Sequence, residues 1–149
     1  AAAPTLAFRF CVDEVTLKKK DVQRMNLPFF QMSLATAEGR LLERQSKTAP
    51  NTGRRGEGTL LYGPSTVLGF KTPLSRLPSD AAVYFELMHY KPDKKKNSCM
   101  AWSYAPLEMI KTGKFSLPLF EKPIDVSRRR CKRLNKKGLD LTVSFSVPR

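Results

Sequence analysis

Histidine and acidic residues are scarce in this sequence. A single histidine, His89, is present, and 13 Asp and Glu stand against 27 Lys and Arg, so the formal net charge is +14. One histidine without neighbouring cysteines does not make a metal centre, and no nucleophile is placed beside an acid–base pair. We therefore expect a protein that is not an enzyme and has no cofactor. His89 itself is expected to be a structural hydrogen-bonding residue at a strand end.

The sequence also has no long apolar run, and we expect no secretory signal. No stretch approaches the roughly 20 apolar residues that a membrane-spanning helix needs. Cys11, Cys99 and Cys131 are an odd number of cysteines without paired spacing, which favours free thiols in a reducing compartment. The length fits one domain, 1–149, and the first residue is Ala1 rather than Met. We expect a domain excised from a longer protein and monomeric in isolation.

Apolar and polar residues alternate with period two in several windows, which is typical of half-buried β-strands. Each apolar face needs a second sheet to cover it, so the predicted fold is all-β, an eight-stranded antiparallel β-sandwich. A short basic helix over 124–134 is the one helical alternative, and the pattern does not show which face of 98–106 is buried. The predicted strands are 5–13, 28–36, 40–48, 66–72, 82–90, 98–106, 114–120 and 139–147.

Three connectors between these strands, 16–27, 91–97 and 121–138, carry most of the positive charge. If successive strands run in opposite directions, the three connectors emerge at one end of the sandwich, together with connector 49–65. The other end is then close to neutral. A basic tip of this kind is suited to an anionic partner. The candidate anion-binding residues are Lys18, Lys19, Lys20, Arg24, Lys91, Lys94, Lys95, Lys96, Arg128, Arg129, Arg130, Lys132 and Arg133.

Three apolar residues, Met25, Leu27 and Phe29, lie beside the first basic connector. One hypothesis is that they insert at a membrane interface next to the lysines. The alternative is that Phe29 or Leu27 covers the end of the sandwich, as buried apolar residues commonly do.

Two local motifs resemble the C2 domain of the Aida family, the axin interactor, dorsalization-associated proteins. The first is His89-Tyr90-Lys91-Pro92, which ends the string AAVYFELMHYKP, and the second is Lys122-Pro123-x-Asp125. The resemblance is good over 81–141 and looser over 1–80. It implies a C2-type sandwich that binds phospholipids, phosphoinositides especially, and that also serves protein partners.

The resemblance also bears on calcium. C2 domains that bind Ca²⁺ hold it with loop carboxylates, because the ion takes about 6–8 oxygen ligands. Where such domains carry Asp-Pro-Tyr, this sequence has Leu27-Pro28-Phe29, and in place of Asp-x-Asp it has His89-Tyr90-Lys91. Asp21 and Asp93 are the acidic residues left among the lysines. We expect no calcium site, and direct contact between basic side chains and phosphates instead.

Several functions stay open at this point. The first is a calcium-independent C2 module that recruits its parent protein to anionic phospholipid or phosphoinositide membranes, as a peripheral protein on the cytoplasmic side. The alternative is a protein-interaction or scaffold domain of a signalling or ciliary assembly, without direct lipid binding. A nucleic-acid-binding β-domain ranks below both, and an enzyme ranks last.

Overall fold

The structure, a computed structural model, describes residues 6–50, 53–55, 58–62, 68–134 and 140–148. Within these ranges the chain forms eleven strands and one α-helix, α1 (Lys19–Arg24), and no helix there is long and apolar enough to cross a membrane. Short 3₁₀ turns lie at Leu74–Arg76 and Leu107–Met109. The strands are β1 (Phe8–Thr16), β2 (Phe29–Ala35), β3 (Ser46–Lys47), β4 (Gly53–Arg55), β5 (Thr59–Leu61), β6 (Leu68–Phe70), β7 (Ala82–Lys91), β8 (Lys96–Pro106), β9 (Gly113–Pro118), β10 (Phe120–Glu121) and β11 (Asp140–Ser146).

The strands make two antiparallel sheets. Sheet A has the order β4-β5-β1-β11-β9, with β6 also paired to β1, and sheet B has the order β10-β8-β7-β2-β3. The predicted all-β antiparallel sandwich is confirmed, and each of the eight predicted windows contains a strand. The count of eight is too low for the described residues, because β4 and β5 form within connector 49–65 and β10 follows β9 in the other sheet.

Alternating apolar residues of both sheets form the main core. Phe10 on β1 meets Phe85 on β7 with ring centroids 6.0 Å apart, and Phe145 on β11 at 6.2 Å. Phe30 and Leu34 on β2 have no exposed surface. Burial of each such side chain stabilises the fold by about 1.5–3 kcal/mol. The apolar faces that the alternation in the sequence indicates are the faces on which the two sheets pack against each other.

Two irregularities in strand register change which residues face this core. In β1 the pairing shifts between Val12 and Glu14, so Val12 and Val15 are both buried although they are three residues apart. In β8 the two neighbours of Met100 pair with successive residues of β7, which leaves Met100 as the extra, buried residue. A β-bulge of this kind interrupts the regular alternation of core-facing and outward-facing side chains within one strand.

A segment that we call the strap, residues 122–134, covers the outer face of sheet B. Tyr84 and Trp102 point away from the main core and are buried beneath it. The Tyr84 hydroxyl donates to the Val126 carbonyl at 2.6 Å, and Trp102 Nε1 donates to the Glu121 carbonyl at 2.9 Å. Both bonds satisfy buried polar groups, and the bond from Tyr84 holds the strap in place. The helix considered for this segment does not form; the strap is built of turns and extended chain.

The two ends of the sandwich are distinguished by the strands that begin and finish there. The basic end is where β1 finishes at Thr16, β7 finishes at Lys91 and β8 begins at Lys96. The opposite end is where β7 begins at Ala82 and β8 finishes at Pro106. The helix α1 lies in the connector that leaves β1 at the basic end.

Candidate anion-binding site

A cavity of about 560 Å³, here called the tip cavity, opens at the basic end. Cations from three separate segments line it: Arg24 from α1, Lys91 and Lys94 from the end of β7 and its turn, and Lys122 from the strap. The structure therefore brings parts of all three basic connectors together. Of the predicted candidates, Arg24, Lys91 and Lys94 reach this cavity.

The helix α1 directs Arg24 toward the cavity because apolar residues anchor the helix to the core. Val22 and Met25 are buried, with 1% and 5% of their surfaces exposed. The Arg24 guanidinium lies 3.3 Å from the Asp21 carboxylate and 3.6 Å from the Met100 sulfur on β8. Asp21 is itself buried, so this ion pair fixes the direction of the arginine.

The turn between β7 and β8 carries exposed lysines beside the cavity. It is closed by a bond from the Lys94 amide to the Lys91 carbonyl at 3.2 Å, and Lys95 adopts a left-handed φ of 51°. The Tyr90 amide donates to the Asn26 carbonyl at 2.8 Å, which joins the end of β7 to the connector of α1. This bond holds the first connector against the end of β7, where the second connector begins.

His89 is the buried polar residue of the cavity wall. Its side chain is 6% exposed and its Nδ1 atom has no hydrogen-bond partner among the described residues. Burial lowers the pKa of His89 below its usual 6.5, and the charges of Lys91, Lys122 and Arg24 lower that pKa further. The imidazole is therefore neutral near pH 7. The hydrogen-bonding role predicted for His89 is not seen at Nδ1.

The start of the strap extends the positive surface away from the tip cavity. A second cavity of about 400 Å³ shares Lys122 with the first and is also lined by Arg130 and Lys132. Glu121 and Asp125 line it too, and Lys132 lies 3.5 Å from the Glu121 carboxylate. Because these carboxylates offset its cations, the second cavity is a weaker candidate for an anion.

Arg128 lies toward the opposite end, away from the predicted tip. Its guanidinium donates to the Asp80 carbonyl at 2.9 Å and stands 5.4 Å from the centre of the Tyr104 ring. Asp80 precedes β7 and Tyr104 lies near the end of β8, both at the opposite end. The prediction that Arg128 joins the tip is wrong. The middle of the strap packs on the outward-facing aromatic residues of sheet B, and this packing places Arg128 toward the opposite end.

The remaining basic residues of the strap do not line the tip cavity. Arg133 pairs with Asp140 at 3.6 Å, and Arg129 is exposed. An exposed ion pair of this kind contributes about 0–1 kcal/mol and leaves the side chain largely solvated. Within the described residues the third connector gives the tip cavity Lys122, rather than the predicted cluster of arginines; residues 135–139 of that connector lie outside the described residues.

The lysines of the first connector lie at the basic end but outside the cavity. Lys18, Lys19 and Lys20 are exposed, and Lys20 stands one helical turn before Arg24. Residues four apart share a helix face, so Lys20 extends the surface on which Arg24 lies. These lysines widen the positive surface around the cavity mouth.

The three apolar candidates for membrane insertion differ in burial. Leu27 is 56% exposed and has a φ of 51°, whereas Phe29 is half-buried in β2. Met25 is 5% exposed and belongs to the main core. The prediction for Met25 is wrong, because the residue anchors α1. Leu27 is the member of the set that presents an apolar surface to solvent at the basic end.

Carboxylates are few at the basic end. Asp21 is engaged by Arg24, and Asp93 lines the tip cavity among lysines. In the part of the chain that the structure describes, no group of three or more His, Cys, Asp and Glu side chains could hold a metal ion.

The candidates predicted from the sequence omitted two basic residues of the cavity, Lys122 and His89. Lys122 was not among the candidates, although it begins the Lys122-Pro123-x-Asp125 motif directly after β10. His89 was given only a structural role. His89 stands two residues before Lys91 on the same strand, and residues two apart on a strand share a face. This spacing was the signal in the sequence that His89 lies beside a predicted anion-binding residue.

Comparison with known proteins identifies the family. Residues 5–145 match the family model described as axin interactor dorsalisation-associated protein, C-terminal. The axin interactor, dorsalization-associated protein of Danio rerio is 31% identical over 128 residues, which are 86% of this chain and 41% of that protein. The Mus musculus protein is 37% identical over 74 residues, 50% of this chain and 24% of that protein. This chain therefore spans less than half the length of these relatives. It belongs to the axin interactor, dorsalization-associated protein family, and it matches the C-terminal part of that family's members.

Proposed function

We propose that this domain is a non-catalytic, calcium-independent C2-type module that binds anionic phospholipids, including phosphoinositides, through its basic end. It would thereby hold its parent protein at the cytoplasmic face of a membrane. The observation that carries this proposal is the meeting of cations from three distant segments, represented by Arg24, Lys94 and Lys122, around one cavity. Fixed positive charges gathered on one surface attract anionic head groups.

Electrostatic attraction supplies most of the affinity. A Lys or Arg near an anionic leaflet contributes about 1 kcal/mol. The exposed lysines Lys18–Lys20 and Lys94–Lys96 stand at the same end as Arg24. If half of these side chains engaged, reversible binding would follow. Because the attraction acts within a Debye length of about 8 Å at physiological salt, binding weakens as salt rises.

The same charges make calcium unnecessary. Ca²⁺ requires about 6–8 oxygen ligands, and Asp21 is already paired with Arg24 while Asp93 stands among lysines. Lysine and arginine side chains contact phosphate oxygens directly through charge-assisted hydrogen bonds. The exposed Leu27 adds an apolar contact with the interface.

Vesicle flotation in the presence of EDTA tests the proposal. Vesicles of phosphatidylcholine with phosphatidylserine and phosphatidylinositol bisphosphate should carry the protein upward in a density gradient. The triple variant Lys94→Glu, Lys95→Glu, Lys96→Glu should lower the partition coefficient at least about tenfold, since three attractive charges become repulsive.

A matched control reverses three cations at the opposite end, Arg76→Glu, Lys111→Glu and Lys114→Glu, which are all exposed. This variant has the same net charge as the first and should keep most of the vesicle binding. Equal losses in the two triple variants would show that binding follows net charge and not the basic end. If the unaltered protein does not float at moderate salt, the proposal fails, and a protein-interaction role becomes the better account; the relatives are named for an interaction with axin.

A further inference from the structure

A flat basic surface would be enough for nonspecific attraction to a membrane, but the basic end contains a cavity. Its volume of about 560 Å³ lies within the range of about 300–1,000 Å³ that is typical of small-molecule sites. Among the residues that the structure describes, four cations line it against a single carboxylate, that of Asp93. The cations come from three segments that are far apart in sequence, so the fold itself builds the positive cavity.

His89 distinguishes this cavity from other clusters of surface lysines. Its Nδ1 atom is buried and has no hydrogen-bond partner in the part of the chain that the structure describes, and an unsatisfied buried polar atom is costly and uncommon in folded proteins. Strand β8 contributes Met100 to the cavity wall, and this side chain carries no charge. The charged groups around the imidazole are Lys91 of the same strand, Arg24 of α1, Asp93 and Lys94 of the turn, and Lys122 of the strap.

We propose that the tip cavity binds one phosphomonoester group, and that His89 takes up a proton when it does. The inference rests on the proposed function, since it names the part of the lipid that the basic end would select: a phosphorylated inositol head group. A phosphomonoester is mostly dianionic at pH 7, so it matches the excess of cations better than the monoanionic phosphodiester of an ordinary phospholipid. A soluble phosphorylated sugar presents the same chemistry.

The coupling to protons follows from the charges. The cations around His89 disfavour its protonated form, and a bound dianion offsets their field. The imidazolium then adds a fifth positive charge beside the phosphate. Because binding raises the pKa of His89, affinity should increase as the pH falls from about 7.5 toward 6.5. At lower pH, protonation of the phosphomonoester, whose second pKa is about 6, opposes this increase.

The single histidine allows a direct test on the unaltered protein. The Cε1 proton of His89 can be followed by NMR as a function of pH, with and without saturating inositol 1,4,5-trisphosphate. Without ligand, the midpoint of the titration should lie below 6.5. With ligand, it should move upward by about one pH unit, which corresponds to about tenfold tighter binding by the protonated form of His89 than by the neutral form.

Two variants give matched controls in the same measurement. Lys122→Gln removes a cation of the cavity and should weaken trisphosphate binding about tenfold and reduce the shift of the midpoint. Lys114→Gln removes an exposed cation at the opposite end and should change neither. Unphosphorylated inositol should leave the midpoint where it is. If the trisphosphate does not saturate, or saturates without moving the midpoint, the inference is overturned.

Vesicles separate this inference from the proposed function. If phosphatidylserine vesicles bind the protein while the trisphosphate leaves His89 unchanged, the basic end is a nonspecific electrostatic surface; the inference fails and the proposed function stands. If the trisphosphate binds and shifts the midpoint, but vesicles with and without phosphatidylinositol bisphosphate fail to bind, the cavity serves a soluble phosphomonoester. The inference then stands and the proposed function fails.

Discussion

His89 is buried beside cations, and this environment links the stability of the domain to pH. Because the pKa of His89 is lowered in the folded protein, the unfolded chain binds a proton in a pH range where the folded chain does not. The stability contributed by the neutral imidazole is therefore present above about pH 6.5 and is lost as the pH falls through the folded pKa. Glu86 acts in the other direction, since burial raises the pKa of its carboxyl group.

We expect His89→Gln to remove most of the pH dependence between about pH 7.5 and 5.5. The free energy of unfolding, measured with urea at several pH values, should fall toward acid in the unaltered protein and change less in the variant. Glu86 is present in both proteins, so its contribution cancels in the comparison. Parallel pH curves for the two proteins would contradict this account of His89.

At the scale of elements, the strap shows how outward-facing aromatic residues reshape a connector. Trp102 and Tyr84 lie on the face of sheet B away from the main core, and the strap buries both. Its turn at Asp125 is fixed by hydrogen bonds from the Ser127 side chain and the Arg130 amide, which lower the pKa of Asp125. The strap is thus held at several points along its length.

We expect Tyr84→Phe to loosen the strap. The variant removes the 2.6 Å bond to the Val126 carbonyl and should cost about 1 kcal/mol of unfolding free energy. Amide hydrogen exchange should quicken at Glu121, whose amide donates to the Lys132 carbonyl. Tyr104→Phe is the control, since the Tyr104 hydroxyl makes no hydrogen bond within the described residues. Equal effects of both substitutions would contradict a specific role for the Tyr84 bond.

Period-two alternation was enough to predict the main strands, since Phe30 and Leu34 are buried on one side of β2 as the pattern required. It could not place the bulges, because an extra residue such as Met100 leaves no mark in composition. Nor could the alternation predict that the third connector packs over sheet B, because the path of that connector depends on which face of β8 carries Trp102. The convergence of the first two connectors was predictable from strand direction alone.

At the scale of the whole molecule, the positive charge is concentrated at one end but less completely than the sequence predicted. The first two basic connectors meet at the basic end, where Lys122 joins them, while Arg128 lies toward the opposite end. We expect the remaining asymmetry to orient the domain in the field of an anionic surface. We therefore expect the sandwich to stand on a membrane with Leu27 toward the lipid and Ser75 away from it.

Fluorescence quenching by lipids that carry a nitroxide on the head group tests this orientation most directly. A tryptophan is introduced by Leu27→Trp at the basic end in one variant, and by Ser75→Trp at the opposite end in another; both positions are exposed and uncharged. The buried Trp102 gives the same background in both. On phosphatidylinositol bisphosphate vesicles in EDTA, the account predicts strong quenching in the Leu27→Trp variant and little in the Ser75→Trp variant. Equal quenching of the two, or stronger quenching in the Ser75→Trp variant, would contradict it.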